Sequence, residues 1–233
     1  MLSSLVSEWT FDELTQDGKT KDTWGNNHGT VHGAEWVDDC VYGKCYSFNG
    51  AGDYIEIEHS NDLNMTLNGF TLSLWVNSPL SDWDDGDYPS IIQKGNSSGW
   101  ASGQYYIATW GDRLHFQTNN GSATGIEMRY PSANTWHHFS MTYDGECIIA
   151  GIDGALSNPK ESSLGNANSH NLLIGKSKIK SFNGLIDDVR IYNSALSSAQ
   201  IKQNYIAGLD SMLRNGTLSK DEYNQRLEAL ASN

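Results

Sequence analysis

Short segments of alternating polar and apolar residues, separated by glycine-containing turns, constrain this chain more than any other feature. Residues 70–76 (Phe-Thr-Leu-Ser-Leu-Trp-Val) place an apolar side chain at every second position. The same period recurs in three further segments, residues 53–58, 136–143 and 185–192. A period of two is that of a β-strand with one buried face, and pairs such as Asp144-Gly145 are typical of tight hairpin turns. The sequence therefore predicts an all-β, antiparallel two-sheet sandwich.

The end of the chain has a different pattern. Ser197 with Gln200 forms a capping-box signature, and four apolar residues then recur every four positions: Ile201, Tyr205, Leu209 and Leu213. A second cap, Ser219 with Glu222, follows the pair Asn215-Gly216. We therefore predict a sandwich domain over residues 1–197 and a helical hairpin over residues 198–233. The apolar stripe either docks on the sandwich or drives self-association with a second chain.

Charge and hydropathy exclude two classes of partner. The chain has 15 Lys and Arg against 28 Asp and Glu, a formal net charge of −13. A nucleic acid would be repelled by this charge, so no nucleic-acid partner is expected. No segment approaches the roughly 18 consecutive apolar residues of a membrane span, so no membrane insertion is expected. Residues 1–4 contain no signal-peptide pattern, so we expect either that the domain was excised from a longer protein, which we favour, or that export depends on sequence outside this chain.

Two cysteines are spaced for a local disulfide. Cys40 and Cys45 flank Val-Tyr-Gly-Lys, a hairpin length at which two cysteines can face each other. We predict a disulfide between them, which suits an oxidising, extracellular compartment. The alternative is that all the cysteines are free thiols. Cys147 lies in an apolar segment and is expected to be a small core residue.

A family resemblance rests on several phrases in a fixed order. These are Trp9-Thr-Phe-Asp-Glu13, Asp22–Thr30, Tyr42–Gly50 leading into Asp53–Ile57, Phe70–Val76, Trp136–Gly145 and Phe182–Ser197. Together they resemble the laminin G-like, concanavalin A-like jelly-roll domains of prokaryotic surface proteins. The resemblance implies a jelly-roll sandwich used most often for carbohydrate recognition or adhesion, outside the cell or on its surface.

The resemblance also implies a structural calcium ion. In similar jelly rolls, a calcium ion ties the first strand to the last, and one ligand is the Asp that opens the final strand. Here that residue is Asp187, and Asp12 with a carbonyl of the 25–29 turn, assigned to Asn27, would complete the site. The strand pattern places Asp187 on one face with Leu185 and Val189. A carboxylate in apolar surroundings must be paired or coordinated, so a salt bridge is the alternative.

Aromatic and planar polar residues are the candidates for a carbohydrate site, because sugar rings present apolar faces. Trp83 and Trp100 lie in predicted loops, and Trp110, His138 and Gln93 lie on or beside strand faces that point away from the core. We predict carbohydrate binding by these five residues. Trp75 and Trp136 are expected to pack structurally instead.

Catalysis is the less favoured hypothesis. A retaining glycosidase needs two carboxylates about 5–5.5 Å apart. Glu56 and Glu58 are two positions apart on one predicted strand, but we expect them to lie on a solvated face. A polysaccharide lyase would need Arg, His and Tyr on one sheet, and nothing in the sequence ties Arg113 to His138. The sequence therefore favours a non-catalytic carbohydrate-binding or adhesion module stabilised by calcium. A self-assembling structural protein and a polysaccharide-degrading enzyme remain the alternatives.

Overall fold

The computed structural model describes residues 4–38, 40–79, 89–95, 103–118, 125–177 and 180–232. Within these ranges the strands and helices are β1 (Leu5–Trp9), β2 (Gly29–His32), β3 (Glu35–Val37), β4 (Cys45–Asn49), β5 (Tyr54–Ile57), β6 (Phe70–Asn77), β7 (Ser90–Gly95), β8 (Gly103–Trp110), β9 (Arg113–Thr118), β10 (Ile126–Arg129), β11 (His137–Tyr143), β12 (Cys147–Ile152), β13 (Ala155–Leu156), β14 (Lys160–Glu161), β15 (Leu172–Ile174), β16 (Asn183–Tyr192), α1 (Ser198–Asn215) and α2 (Lys220–Ala231).

The strands form two antiparallel sheets that pack face to face. Sheet A has the order β13-β12-β11-β6-β16-β4-β3, with β1 added beside β16 and β14 beside β12. Sheet B has the order β10-β9-β8-β7-β15-β5-β2. The prediction of an antiparallel two-sheet sandwich is confirmed, and so is the helical hairpin that follows it.

The core lies between the inner faces of the two sheets. In β6 the alternating residues Phe70, Leu72, Leu74 and Val76 are all buried in it. They meet inward-facing residues of sheet B such as Ile107. Each large apolar side chain that leaves water in this way contributes about 1.5–3 kcal/mol.

Both helices begin at the predicted caps. Ser197 and Gln200 form a complete capping box, and Gly216 ends α1 in the left-handed region at φ 85°. The Ser219 side chain accepts a hydrogen bond from the Glu222 backbone and caps α2. None of the helices in the described part of the chain is long and apolar enough to cross a membrane.

The helical hairpin packs on the outer face of sheet A. Tyr205 of α1 stacks on Trp75 of β6 with 5.6 Å between ring centroids. Gly208 lies so close to the Trp75 indole that a β-carbon there would overlap it. The Arg226 guanidinium donates to the Trp136 carbonyl at 2.8 Å. The apolar stripe of α1 is therefore buried within its own chain, which removes its main members from any contact with a second chain.

A β-bulge interrupts β16. Asp187 pairs with Trp75, but the next pair is Arg190 with Ser73, so one extra residue lies between them. Asp188 occupies the bulge with φ 49°. The bulge reverses the alternation, so Asp187 points outward from sheet A while Val189 points into the core. The expectation that these two residues share a face is therefore wrong.

Candidate functional site

The two sheets differ in what covers their outer faces. The described helices lie on sheet A, and their apolar residues form a second core with Trp75 and Trp136. On sheet B, strand register places eight polar, charged or aromatic residues on the outer side: Gln93, Tyr106, Trp110, Arg113, His115, Gln117, Glu127 and Arg129. We call these eight residues the sheet B face.

Hydrogen bonds hold polar groups in the middle of the sheet B face. Gln93, Tyr106 and Gln117 lie opposite one another on three neighbouring strands. The Tyr106 hydroxyl donates to Gln117 Oε1 at 2.7 Å, and the Ser90 hydroxyl donates to Gln93 Oε1 at 3.0 Å. Amide groups held in this way are preorganised for the planar hydrogen bonding that sugars need.

Trp110, Arg113 and Arg129 form a line across three strands at one end of the face, which we call the arginine row. Trp110 is 45% exposed and is the one tryptophan in the described strands of sheet B. Both arginines approach the single carboxylate of Asp112, with N–O distances of 3.2 Å from Arg129 and 4.0 Å from Arg113. The row therefore combines an accessible aromatic ring with two guanidinium groups.

His115 lies beside the arginine row. Its ring centroid is 5.6 Å from that of Trp110, and its Nδ1 is 3.8 Å from a Glu127 oxygen. Burial lowers the pKa of His115, and the charge of Arg113 lowers it further against the opposing effect of Glu127. Burial and the nearby Arg113 thus favour the uncharged imidazole.

A closed aromatic cluster lies at the opposite edge of sheet B. Tyr54 stacks on His32 with 4.3 Å between centroids, and the Lys176 ammonium lies 3.9 Å from the Tyr54 ring centroid. Both neighbours take up part of the Tyr54 ring surface, and the residue is partly buried. Among the described strands of sheet B, Trp110 is the large aromatic residue that is exposed.

The predicted carbohydrate-binding residues fall in three places. Gln93 and Trp110 lie on the sheet B face, where ligand contact remains a prediction. Trp83 and Trp100 lie outside the described residues. His138 lies on sheet A, apart from the other candidates.

The placement of His138 does not fit the expected sugar contact. Helix α1 covers it, so that only 1% of the residue is exposed. Its Nε2 is 2.8 Å from the Ser73 hydroxyl, and its ring lies 5.3 Å from Trp75. Burial lowers the pKa of His138 to about 4. His138 correctly faces away from the sandwich core, but the helical hairpin occupies the space where a ligand would lie.

Acidic groups converge beside the β16 bulge. Asp187 is fully buried, and its Oδ2 accepts a hydrogen bond from the Tyr42 backbone at 2.9 Å. Its Oδ1 is also buried and has no hydrogen-bond partner among the described residues. Burial raises the pKa of Asp187 well above its usual value, and the charges of Asp188 and Asp12 raise it further.

The acids near Asp187 have ion-pair or hydrogen-bond partners. Asp188 and Glu8 each contact Arg190 at 2.9 Å. Burial still raises the pKa of Asp188 to about 6, although Arg190 opposes the shift. Asp12 Oδ1 accepts from the Lys44 backbone at 2.8 Å, and Asp12 has a raised pKa because it is partly buried. Asp188 Oδ1 also accepts no hydrogen bond but is ion-paired with Arg190, so Asp187 Oδ1 is the buried oxygen of these acids that has neither kind of partner.

The residues fit the implied calcium ion in part. Calcium prefers carboxylate and carbonyl oxygens, and Asp187 with Asp12 supplies two carboxylates, one of them with a buried oxygen lacking a partner. The Asn27 carbonyl accepts from the Trp9 indole at 2.8 Å, which leaves its second lone pair for a ligand contact that stays a prediction. In the described ranges, no group of three or more His, Cys, Asp or Glu side chains is placed to hold a metal.

The disulfide between Cys40 and Cys45 is present, as predicted. It closes a turn whose backbone donates to both acids, through Tyr42 to Asp187 and through Lys44 to Asp12. The Cys40 carbonyl accepts from the Asn215 side chain at the end of α1. This turn therefore connects the acidic cluster to the helical hairpin.

A polar cleft of about 520 Å³ lies between α2 and the edge of sheet A. In it, His137 Nδ1 is 2.6 Å from Asp153, and His137 Nε2 is 3.1 Å from the Ser132 hydroxyl. The Ser132 carbonyl lies 3.0 Å from the same Nε2. Nε2 therefore lies as close to the Ser132 carbonyl as to the Ser132 hydroxyl, and it is not reserved for the hydroxyl as the base of a hydrolytic triad would be.

Sequence reasoning missed two structural features. Asp22 accepts from four backbone N–H groups, those of Glu8, Trp24, Gly25 and Asn27, and so fixes the loop before β2. The residues Arg113, His115 and Gln117 alternate with the buried Leu114 and Phe116 on β9. The sequence shows this alternation as a two-residue period, but it does not show which strands lie beside β9.

Comparison with protein families identifies the fold family. Residues 49–202 match the laminin G family model described as the concanavalin A-like lectin/glucanases superfamily. The match covers more than half of the chain, and the chain therefore belongs to this family. A search of curated proteins finds no match.

Solved structures show the same fold in proteins of several kinds. The binding domain of Paraclostridial Mosquitocidal Protein 1 matches with a TM-score of 0.68 and 20% identity over 88% of this chain and 52% of that one. Domain 4 of AbnA, an extracellular arabinanase from Geobacillus stearothermophilus, was solved in complex with arabinotriose. It matches with a TM-score of 0.66 and 19% identity over 86% of this chain and 98% of that one. A Trypanosoma rangeli sialidase mutant with trans-sialidase activity matches with a TM-score of 0.67 and 15% identity over 90% of this chain and 33% of that one. This chain thus spans about half of the mosquitocidal binding domain. The fold occurs in binding domains and in an enzyme.

Proposed function

We propose that this protein is a non-catalytic carbohydrate-binding or adhesion module that acts outside the cell or at its surface. The observation that carries the proposal is the sheet B face, where the exposed Trp110 shares one outer surface with the oriented amide and hydroxyl groups around Tyr106, four residues away along β8. Flat aromatic rings and fixed planar polar groups are the chemistry that receives a sugar. The arabinotriose complex of the AbnA domain, a protein of the same fold, supports a carbohydrate ligand.

The test is a glycan array with the wild-type chain and the Trp110→Ala variant. Binding by the wild type that falls at least about tenfold in Trp110→Ala is expected, because the variant loses the stacking surface. Trp24→Ala is the matched control, since Trp24 is 55% exposed but lies in the loop before β2. Equal binding by wild type and Trp110→Ala would remove the sheet B face from the site.

The same protein should show no turnover of the glycans that it binds. Reducing-sugar and unsaturated-uronate assays are expected to detect no product. Product formation would favour the polysaccharide-degrading alternative instead, with Arg113, His115 and Tyr106 of one sheet as the groups to mutate. A self-associating species in light scattering would favour the structural alternative, for which the described residues offer no exposed α1 stripe.

We further propose that calcium binds Asp12 and Asp187 and stabilises the fold. The buried Asp187 Oδ1 without a partner supports this assignment. Calcium should raise the melting temperature of the wild type relative to chelator. Asp187→Asn should abolish that difference, and it should melt no lower than the wild type in chelator, because it removes a buried charge. An identical calcium response in Asp187→Asn would contradict the assignment.

A further inference from the structure

We propose that the sheet B face selects acidic glycans, with Trp110 beneath a sugar ring and the arginines of the row paired with its carboxylate or sulfate groups. This inference rests on the proposed carbohydrate-binding function and names its ligand class. The observation behind it is the position of two arginines beside the exposed tryptophan of a strongly acidic protein.

The strand register fixes the geometry of the row. Trp110 opposes Arg113 on β9, and Arg113 opposes Arg129 on β10. Neighbouring strands lie about 4.8 Å apart, so the three side chains stand side by side on the same outer face. A ligand that stacks on Trp110 therefore lies within reach of the guanidinium groups.

The two arginines are kept together at a cost. Like charges directly opposite each other on a sheet are destabilising. The Arg113 side chain is 52% exposed and that of Arg129 is 83% exposed, so neither is required to fill a core. Asp112 offsets part of the repulsion, and one carboxylate shared by two guanidinium groups leaves one positive charge in excess within the row, whereas Glu127 of the same face lies against His115.

The unpaired charge has a specific chemistry. Asp112 contacts the Nε atom of each arginine. No contact in the described part of the chain links the terminal amino groups of either arginine to a second carboxylate. A guanidinium edge pairs bidentately with a carboxylate or sulfate, whereas a neutral sugar needs no such group. The chain carries a net charge of −13, so an anionic ligand would be repelled without this local excess.

The experiment compares polymers that differ only in charge. Polygalacturonate is paired with its methyl ester, and chondroitin sulfate with desulfated chondroitin, so that the arms separate carboxylate from sulfate. Affinity is measured by native gel electrophoresis in polymer and by calorimetry. At least one charged polymer should bind about tenfold or more tightly than its neutral or less charged counterpart, and the preference should shrink as salt is raised.

Variants assign the preference to the row. Arg113→Gln with Arg129→Gln should remove about tenfold or more of the binding to the charged polymer and leave any binding to a neutral polymer unchanged. Asp112→Asn should strengthen binding to the charged polymer severalfold, because it frees both arginines. Arg214→Gln on α1 is the control and should change nothing. Melting curves confirm that each variant is folded.

The outcomes separate this inference from the proposed function. Equal binding of charged and neutral members, abolished by Trp110→Ala, would overturn the acidic preference and leave a carbohydrate-binding module. A charged-polymer preference that survives in the double arginine variant would also overturn it. Failure to bind any glycan on the array or in either pair would overturn both proposals.

Discussion

The outer faces of the two sheets have similar sequence patterns but different environments, because one is covered by a helix and the other is exposed. On sheet A, the outward residues Trp75 and His138 lie under helix α1 and belong to a second core. On sheet B, the outward residue Trp110 is half-exposed beside charged neighbours. An aromatic residue on the outer side of a strand is therefore not in itself a ligand platform. Its role depends on what the rest of the chain places over it.

The largest expected effect compares the two tryptophans directly. Trp75→Ala leaves a cavity under α1 and should lower the free energy of unfolding by about 3–5 kcal/mol, measured by urea denaturation. Trp110→Ala should lower it by about 1 kcal/mol or less, because its ring is half-exposed. Similar losses for the two variants would mean that the faces do not differ in this way.

The second prediction concerns pH. Burial lowers the pKa of His138 to about 4 from 6.5, so between these values the unfolded chain binds more protons than the folded chain. Stability from this residue is therefore present above pH 6.5 and is lost as the pH falls toward 4. Between pH 7 and pH 5 the loss should be about 2 kcal/mol.

The His138→Asn variant isolates this contribution. The raised pKa values of Asp187 and Asp188 act in the opposite direction, because buried acids that bind protons become more favourable as the pH falls. Subtracting the pH profile of His138→Asn from that of the wild type removes their effect. The exposed His170 serves as the control through His170→Asn. An unchanged profile in His138→Asn would contradict the burial of the imidazole under α1.

Local patterns predicted much of this structure, and long-range packing accounts for what they missed. The alternation of residues 70–76 predicted β6, and Ser197 with Gln200 predicted the start of α1, because strand period and helix capping are local properties. The outward direction of His138 was also readable from its strand. Its burial was not, because the docking of α1 depends on residues more than 60 positions away.

The same reasoning explains the wrong face predicted for Asp187 and the missed arginine row. A strict two-residue period cannot reveal the extra residue at Asp188, so Asp187 was assigned to the wrong side of β16. The hydrogen bond from the Trp9 indole to the Asn27 carbonyl likewise joins two segments whose contact a local pattern does not show. Arg113 showed the strand period, whereas its alignment with Trp110 and Arg129 required the strand order.

A smaller effect is expected where α1 approaches sheet A most closely. Gly208→Ala gains helix propensity, which would stabilise an exposed helix by about 1 kcal/mol. Its new methyl group overlaps the Trp75 indole, so the variant should instead lose about 1–3 kcal/mol. Ala207→Gly is the matched control, because Ala207 is exposed and should lose only its helix propensity. A stabilised Gly208→Ala would show that α1 does not lie against Trp75.

The smallest expected change in stability is at the arginine row. The Arg129 side chain is 83% exposed and, among the described residues, pairs only with the exposed Asp112, so Arg129→Gln should change the free energy of unfolding by about 0.5 kcal/mol or less. Arg190 on sheet A pairs with both Asp188 and Glu8. Arg190→Gln should lower the free energy of unfolding by about 3–5 kcal/mol, because it leaves the buried Asp188 carboxylate unpaired. If Arg129→Gln proved as costly as Arg190→Gln, the row would be a structural feature, and its arginines would need no ligand to explain them. A near-neutral effect of Arg129→Gln on stability would mean that the fold does not require the exposed Arg129, although it lies directly opposite Arg113 on the neighbouring strand.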